Sequence, residues 1–152
     1  MNFNDIRVNS SDAKAIEGHL RECAAMFDPH LSLRVNLPDY SKKLADLSDR
    51  FEFWEDNRLV GLIAAYLNAH DRRVGFISSV SVSRDFQGKG LASALLKKCF
   101  VHACKKGFQF LQLEVGEFNS KAIHFYSSKG FAFCDSNKNG FLNMKFQLST
   151  NE

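Results

Sequence analysis

Val80-Ser81-Val82-Ser83-Arg84-Asp85-Phe86-Gln87-Gly88-Lys89-Gly90-Leu91-Ala92 reads as a strand that runs into a glycine-bearing turn and opens a helix. The first turn of any helix leaves its N–H groups without intrahelical acceptors. Those donors and the helix dipole favour an anion, by about 0.3–1 kcal/mol and up to about 2 kcal/mol when partly buried. Gly88 and Gly90 carry no Cβ to hold a phosphate away from the backbone, and Lys89 adds a cation at the rim. Without a ligand, the same residues make a tight strand–helix turn. Two nucleotide loops are excluded. No G-x-x-x-x-G-K-[ST] string occurs, and the third glycine of a dinucleotide fingerprint is replaced by Ser93.

Outward from this turn the period changes on each side. Leu91, Leu95 and Cys99 recur at helical spacing, and Ala92 and Leu96 widen the stripe. Lys105-Lys106-Gly107 supplies cations and a stop for that helix. Phe108 to Val115 alternates as a strand, Asn119-Ser120 begins a short helix ending at Lys129-Gly130, and Phe131-Ala132-Phe133 is again strand. Asn137 to Gly140 is turn-rich, and Phe141 to Leu148 forms the last strand. Upstream, Val74 to Val82, Leu59 to Leu67 and Phe51 to Glu55 read as strands, the latter two joined at Asp56-Asn57. Ile6-Arg7-Val8 is a short first strand. A helix capped within Asn9 to Asp12 runs towards Met26, with Ile16, Leu20, Cys23 and Ala24 on its apolar face. Phe27 to Pro38 is irregular, and a more polar helix spans about Asp39 to Leu47. Strands outnumber helices around one central strand–helix–strand crossover, which predicts an α/β (α+β) mixed sheet.

The 152 residues suit a single domain, 1–152, with one core, and fifteen Phe suggest that aromatics fill much of it. The net charge of +3 comes without a Lys/Arg run, so no nucleic-acid or membrane-surface partner is expected. No signal-peptide pattern and no apolar run of about 20 residues is present, which points to a cytoplasmic protein. Cys23, Cys99, Cys104 and Cys134 form no C-x-x-C pair, so reduced thiols and no metal site are expected.

Gln87-Gly88-Lys89-Gly90-Leu91-Ala92 matches the Q/R-x-x-G-x-G/A motif. A second segment follows in order: Leu113-Glu114-Val115, Asn119, Ala122-Ile123, Phe125-Tyr126 and Lys129-Gly130-Phe131. With both motifs in place, the chain resembles the GNAT (GCN5-related) N-acetyltransferases over essentially its whole length. One departure is Ser83-Arg84, where many members carry a proline. The resemblance implies a mostly antiparallel sheet with a parallel, splayed strand pair, flanked by helices. It implies acetyl-CoA as co-substrate and direct acetyl transfer to a primary amine of a small molecule, amino sugar or peptide. It also allows a homodimer. Backbone amides from Gln87 through Gly88, Lys89, Gly90 and Leu91 to Ala92 would bind the pyrophosphate. Val80 and Val82 would flank the pantetheine arm, on a strand that carries a bulge in this family. Asn119 lies where the family contacts CoA and is also placed to cap the next helix. Tyr126 would donate a hydrogen bond to the departing sulfur, and Glu114 is the expected general base, acting directly or through a water. His124, two residues from Tyr126, does not share its helix face. The acceptor pocket would lie between the two N-terminal helices, the Phe27–Pro38 loop and the last hairpin, with Asp28, His30, Arg34 and Tyr40 as possible contacts. The alternative is a non-catalytic acyl-CoA sensor on the same fold.

Overall fold

The computed structural model describes residues 3–27, 29–136 and 139–148. The chain begins with β1, Arg7–Val8, and α1, Ala13–Cys23. The Asp12 carboxylate caps α1 by accepting the Ala15 N–H at 2.8 Å. Ile16, Leu20 and Cys23 are buried on its inner face as expected, and His19 joins them. After Cys23 the helix tightens into a 3-10 turn, Ala24–Met26.

The second helix, α2, spans Leu37–Leu47 and so begins earlier than the expected Asp39. Asn36 caps it, its side-chain oxygen accepting the Asp39 N–H at 3.0 Å. Pro38 lies in the first turn, where a missing N–H has no cost, so the proline starts the helix instead of delaying it.

Strand β2, Asp49–Glu55, turns through Asp56 and Asn57, both at positive φ, into β3, Arg58–Tyr66. Next come β4, Val74–Val82, and α3, Leu91–Lys105. Then follow β5, Phe110–Gly116, and α4, Ser120–Ser128. The chain closes with β6, Ala132–Ser136, and β7, Phe141–Gln147. The sheet order is β1-β2-β3-β4-β5-β7-β6. Neighbours pair antiparallel except β4 and β5, which are parallel and are linked by the α3 crossover.

Strand β3 is buried from Leu59 to Ala65 because helices cover both faces of the sheet. On one face Val60, Ile63 and Ala65 pack with Leu91, Leu95, Leu96 and Cys99 of α3. On the other, Leu59, Leu62 and Ala64 pack with Ile16, Leu20, Leu37 and Leu44 of α1 and α2. A Cβ at Gly61 would lie 2.8 Å from Leu91 Cδ2, so this glycine lets α3 settle close to the sheet. The core is less aromatic than expected. Only Phe51, Phe86, Phe108 and Phe131 among the described phenylalanines are fully buried, and aliphatic residues fill most other positions. Phe3, Phe53, Phe100, Phe125 and Phe146 pack against this core from its margins, each only partly buried.

A buried ion pair ties the first layer to the sheet. Glu52 is 0% exposed and its carboxylate accepts the N–H groups of Ser10 at 3.0 Å and Ser11 at 3.1 Å. It also accepts the Ser11 hydroxyl and lies 3.5 Å from Arg50 Nε. Arg50 in turn donates to the carbonyls of Leu44, Ala45 and Ser48 at the C-terminal end of α2, where Leu44 C=O also accepts the Ser48 N–H. Among the described residues no helix is long and apolar enough to cross a membrane.

Candidate active site

The site begins where β4 and β5 separate. They pair only at Val74–Phe110, Gly75–Leu111 and Phe76–Gln112. Beyond Phe76, β4 keeps β3 on one side and, among the described residues, has no strand on the other. Its register against β3 jumps from Ala65–Ile77 to Ala64–Ser79, so Ser78 is an extra, bulged residue. The Ser83 N–H donates to Val60 C=O at 2.8 Å, which fixes the side on which β4 bonds β3. Backbone direction alternates along a strand, so the N–H and C=O of Val80 and Val82 face the gap.

The N-terminus of α3 closes one end of this gap. Gly88 has φ +74° and Gly90 φ +85°, and a Cβ at either would meet nothing within 4 Å. Glycine is needed here for the left-handed backbone rather than for space within the protein. Asp12, Asn36 and Asn119 cap α1, α2 and α4 with side chains, whereas Gly90 offers α3 none. The first turn of α3 lines the cleft, and among the described residues no N-cap side chain accepts from its N–H groups. Within the preceding loop, the Gln87 N–H is taken by Arg84 C=O at 3.2 Å. The Gln87 side chain donates to Val82 C=O at 3.1 Å and to Met26 Sδ at 3.0 Å, which locks the loop to the strand. Lys89 lies over the Phe86 ring, 5.9 Å from its centroid, and is not among the cleft-lining residues.

A cleft of about 690 Å³ joins these parts. Val80, Val82, Gln87, Gly88, Gly90, Leu91, Ala92, Asn119, Glu114 and Tyr126 all line it. Asn119 also caps α4, its Oδ1 accepting the Ala122 N–H at 3.2 Å, so it serves the helix and the cleft together. The Tyr126 ring packs edge-on to Phe125 at 5.3 Å and to Phe131 at 5.7 Å. Burial there pushes its phenol up to about 12. Glu114 is exposed on β5, opposite Asn143 of β7, and is the one carboxylate among the described lining residues. His124 is exposed and lies outside the lining.

The far end of the cleft carries Phe27, Leu31, Arg34, Val35, Tyr40, Phe76 and Phe141. Arg34 and Tyr40, two of the possible acceptor contacts, thus line the cleft. His30 instead caps a 3-10 turn, Leu31–Leu33, by accepting the Ser32 N–H at 3.2 Å. Asp28 lies outside the described residues. The Tyr40 hydroxyl meets Ser78 Oγ at 2.5 Å, so α2 is pinned to the β4 bulge. Sequence reasoning missed this contact, and also the buried His19 beneath the cleft. The His19 ring bridges Leu59 C=O at 3.0 Å and Ser81 Oγ at 2.9 Å. Burial holds its pKa below 6.5, so the ring is neutral at pH 7, with Nδ1–H donating to Leu59 and Nε2 accepting from Ser81. A histidine on the apolar stripe of α1 was the available signal. All four cysteines are free, and burial raises the thiols of Cys23 to about 11 and Cys99 to about 12.

Residues 14–131 match the acetyltransferase (GNAT) family. A stretch of 64 residues is 39% identical to an uncharacterised N-acetyltransferase of Methanocaldococcus jannaschii, over 42% of this chain and 28% of that protein. A stretch of 79 residues is 35% identical to streptothricin acetyltransferase of Streptomyces lavendulae, over 52% of this chain and 41% of that protein. The matches thus span less than half the length of either relative. PaiA N-acetyltransferase from Thermoplasma acidophilum, solved in complex with coenzyme A, is similar in structure with a TM-score of 0.74. That likeness covers 94% of this chain and 99% of the other at 17% identity, and is one of fold.

Proposed function

The chain belongs to the acetyltransferase (GNAT) family, and on that premise we propose that it transfers acetyl directly from acetyl-CoA to a primary amine of a small molecule, amino sugar or peptide. One observation carries the reading. The side-chain-uncapped N-terminus of α3, with its two left-handed glycines, opens into the same cleft as the unpaired edge of β4 and the Tyr126 ring. These residues fit the co-substrate: donors for a pyrophosphate at one end, strand-like backbone along the gap, and a half-buried phenol lining the cleft.

Acetyl-CoA supplies an activated thioester, and the protein's residues do the rest. The amides after Gln87 hold the pyrophosphate, and the gap-facing groups of Val80 and Val82 orient the pantetheine arm as an added strand would. Asn119 contacts the co-substrate beside the cap it makes. Tyr126 donates a hydrogen bond to the leaving sulfur. Full proton transfer from a phenol at about 12 to a thiolate at its reference value of about 8.5 would be uphill by about 5 kcal/mol. Glu114 takes the amine proton, directly or through an ordered water.

The test is an acceptor screen with mass detection of acetylated product, spanning small amines, amino sugars, amino acids, peptide N-termini and streptothricin. Acetylation of at least one class, with one CoA released per acetyl, is expected. CoA binding without any turnover would leave the protein as a sensor.

A further inference from the structure

We infer that the acceptor amine carries an anionic oxygen group, a carboxylate or a phosphate, and that Arg34 is the residue that reads it. This rests on the proposed acetyl transfer and narrows its acceptor class. The far wall of the cleft is mainly apolar, built from Phe27, Val35, Phe76 and Phe141, and Arg34 interrupts it. Its backbone is fixed, because the Arg34 N–H donates to Leu31 C=O at 2.9 Å. Its guanidinium carbon stands 4.5 Å from the centroid of the Phe141 ring. Stacking of this kind holds a guanidinium in place and leaves its in-plane donors for a two-oxygen partner.

Arg21, Arg50 and Arg58 each pair with a glutamate, whereas among the described residues no carboxylate lies within ion-pair distance of Arg34. The Arg34 charge is felt at Tyr40, on the same end of the cleft. Burial raises the Tyr40 phenol, while the Ser78 hydrogen bond and then the Arg34 charge act to lower it. Tyr40 is in turn bonded to the bulged residue of β4, just beyond the last β4–β5 pair.

Glu114 completes the pattern. It opposes Asn143 on β7, and Phe141 is two residues along the same strand, so both side chains rise from one face of the sheet. Diagonal neighbours of this kind are about 7–8 Å apart. The carboxylate that takes the amine proton and, through Phe141, the guanidinium that reads the anion are thus both tied to one face of the β5–β7 pair and both line the cleft. An acceptor with a second cation would set that cation against Arg34.

The experiment pairs acceptors that differ only in the anion. Amino-sugar phosphates and nucleotide-linked amino sugars are compared with the unphosphorylated sugars, and amino acids and short peptides with their carboxamides. The anionic member of an accepted pair should have a kcat/KM higher by about 10- to 100-fold, as hydrogen bonds to charged groups imply. Arg34→Ala should abolish that ratio through the acceptor KM, with the KM for acetyl-CoA little changed, and Arg34→Lys should restore it only in part. The pair that responds identifies carboxylate or phosphate. Calorimetry with CoA on the same preparations separates the two levels of failure. Absence of CoA binding by the wild type would sink the acetyl-transfer reading and this inference with it. Intact CoA binding with neutral amines used equally well, with no anionic amine used, or with an unchanged ratio in Arg34→Ala would overturn the inference alone.

Discussion

Replacing Tyr126 by Phe removes a single oxygen and keeps the ring between Phe125 and Phe131. Stability should therefore change little, and any kinetic effect reports on the hydroxyl. With its pKa pushed up to about 12 by burial, the phenol remains protonated across the neutral and mildly alkaline range. It can donate throughout that range but gives up its proton with difficulty. A hydrogen bond to a charged acceptor contributes about 1.5–3 kcal/mol. Confined to the transition state, that converts into a fall in kcat of about 10- to 150-fold, with the KM for acetyl-CoA nearly constant. The assay is thiol release followed under single-turnover conditions, so that product release does not mask chemistry. An unchanged single-turnover rate would remove Tyr126 from the reaction. The pH dependence gives a second check. A wild-type alkaline limb below about pH 10 that disappears in Tyr126→Phe would mean that the phenol titrates low enough to act as a full acid.

Gly90→Val places a β-branched residue at φ +85° with nothing within 4 Å of its Cβ, so the new side chain strains the backbone and projects into the cleft. Stability should fall by about 1–2 kcal/mol in denaturant titrations, and CoA affinity should fall at least about tenfold; wild-type affinity would contradict the cradle. Arg50→Ala leaves the fully buried Glu52 carboxylate without its cation, and equilibrium unfolding should show a loss of about 3–5 kcal/mol. A loss below about 1 kcal/mol would mean that the Ser10 and Ser11 donors suffice. For His19, burial depresses the folded pKa, so below about pH 6.5 the unfolded chain takes up a proton that the native protein refuses. Its stabilising contribution is present above that pH and is lost as the pH falls towards the folded value, by at most about 1.4 kcal/mol per pH unit. Urea unfolding between pH 7 and pH 5 should show this slope in the wild type and a shallower one in His19→Asn.

The elements that carry the cleft were legible because their signals are local. The turn at Gln87–Gly90 shows its glycines, α3 shows its i, i+4 stripe, and Asn119 shows a cap. What stayed hidden depends on partners distant in sequence. Glu52 lies within the run Phe51 to Glu55, where a charge reads as facing water; only the folded chain brings Ser10, Ser11 and Arg50 around it. The bulge at Ser78 lies among small polar residues, so no change of pattern marks it, and Tyr40 has to arrive from α2 to give it a partner. Arg34 and His30 looked alike in an irregular loop. The fold sends one onto Phe141 beside the cleft and turns the other into a cap. Pro38 misled by its usual meaning as a breaker, because the Asn36 cap just before it converts the proline into a helix start.

The central claim is that the α3 N-terminus and the open edge of β4 together hold CoA. Titrating CoA into isotope-labelled protein and following the backbone amides tests it most directly. Saturable shifts should cluster at the amides from Gly88 to Ser93 and at Val80 and Val82, with those of β1 and β2 left in place. No saturable binding, or shifts confined to surfaces away from the β4–β5 gap, would contradict it.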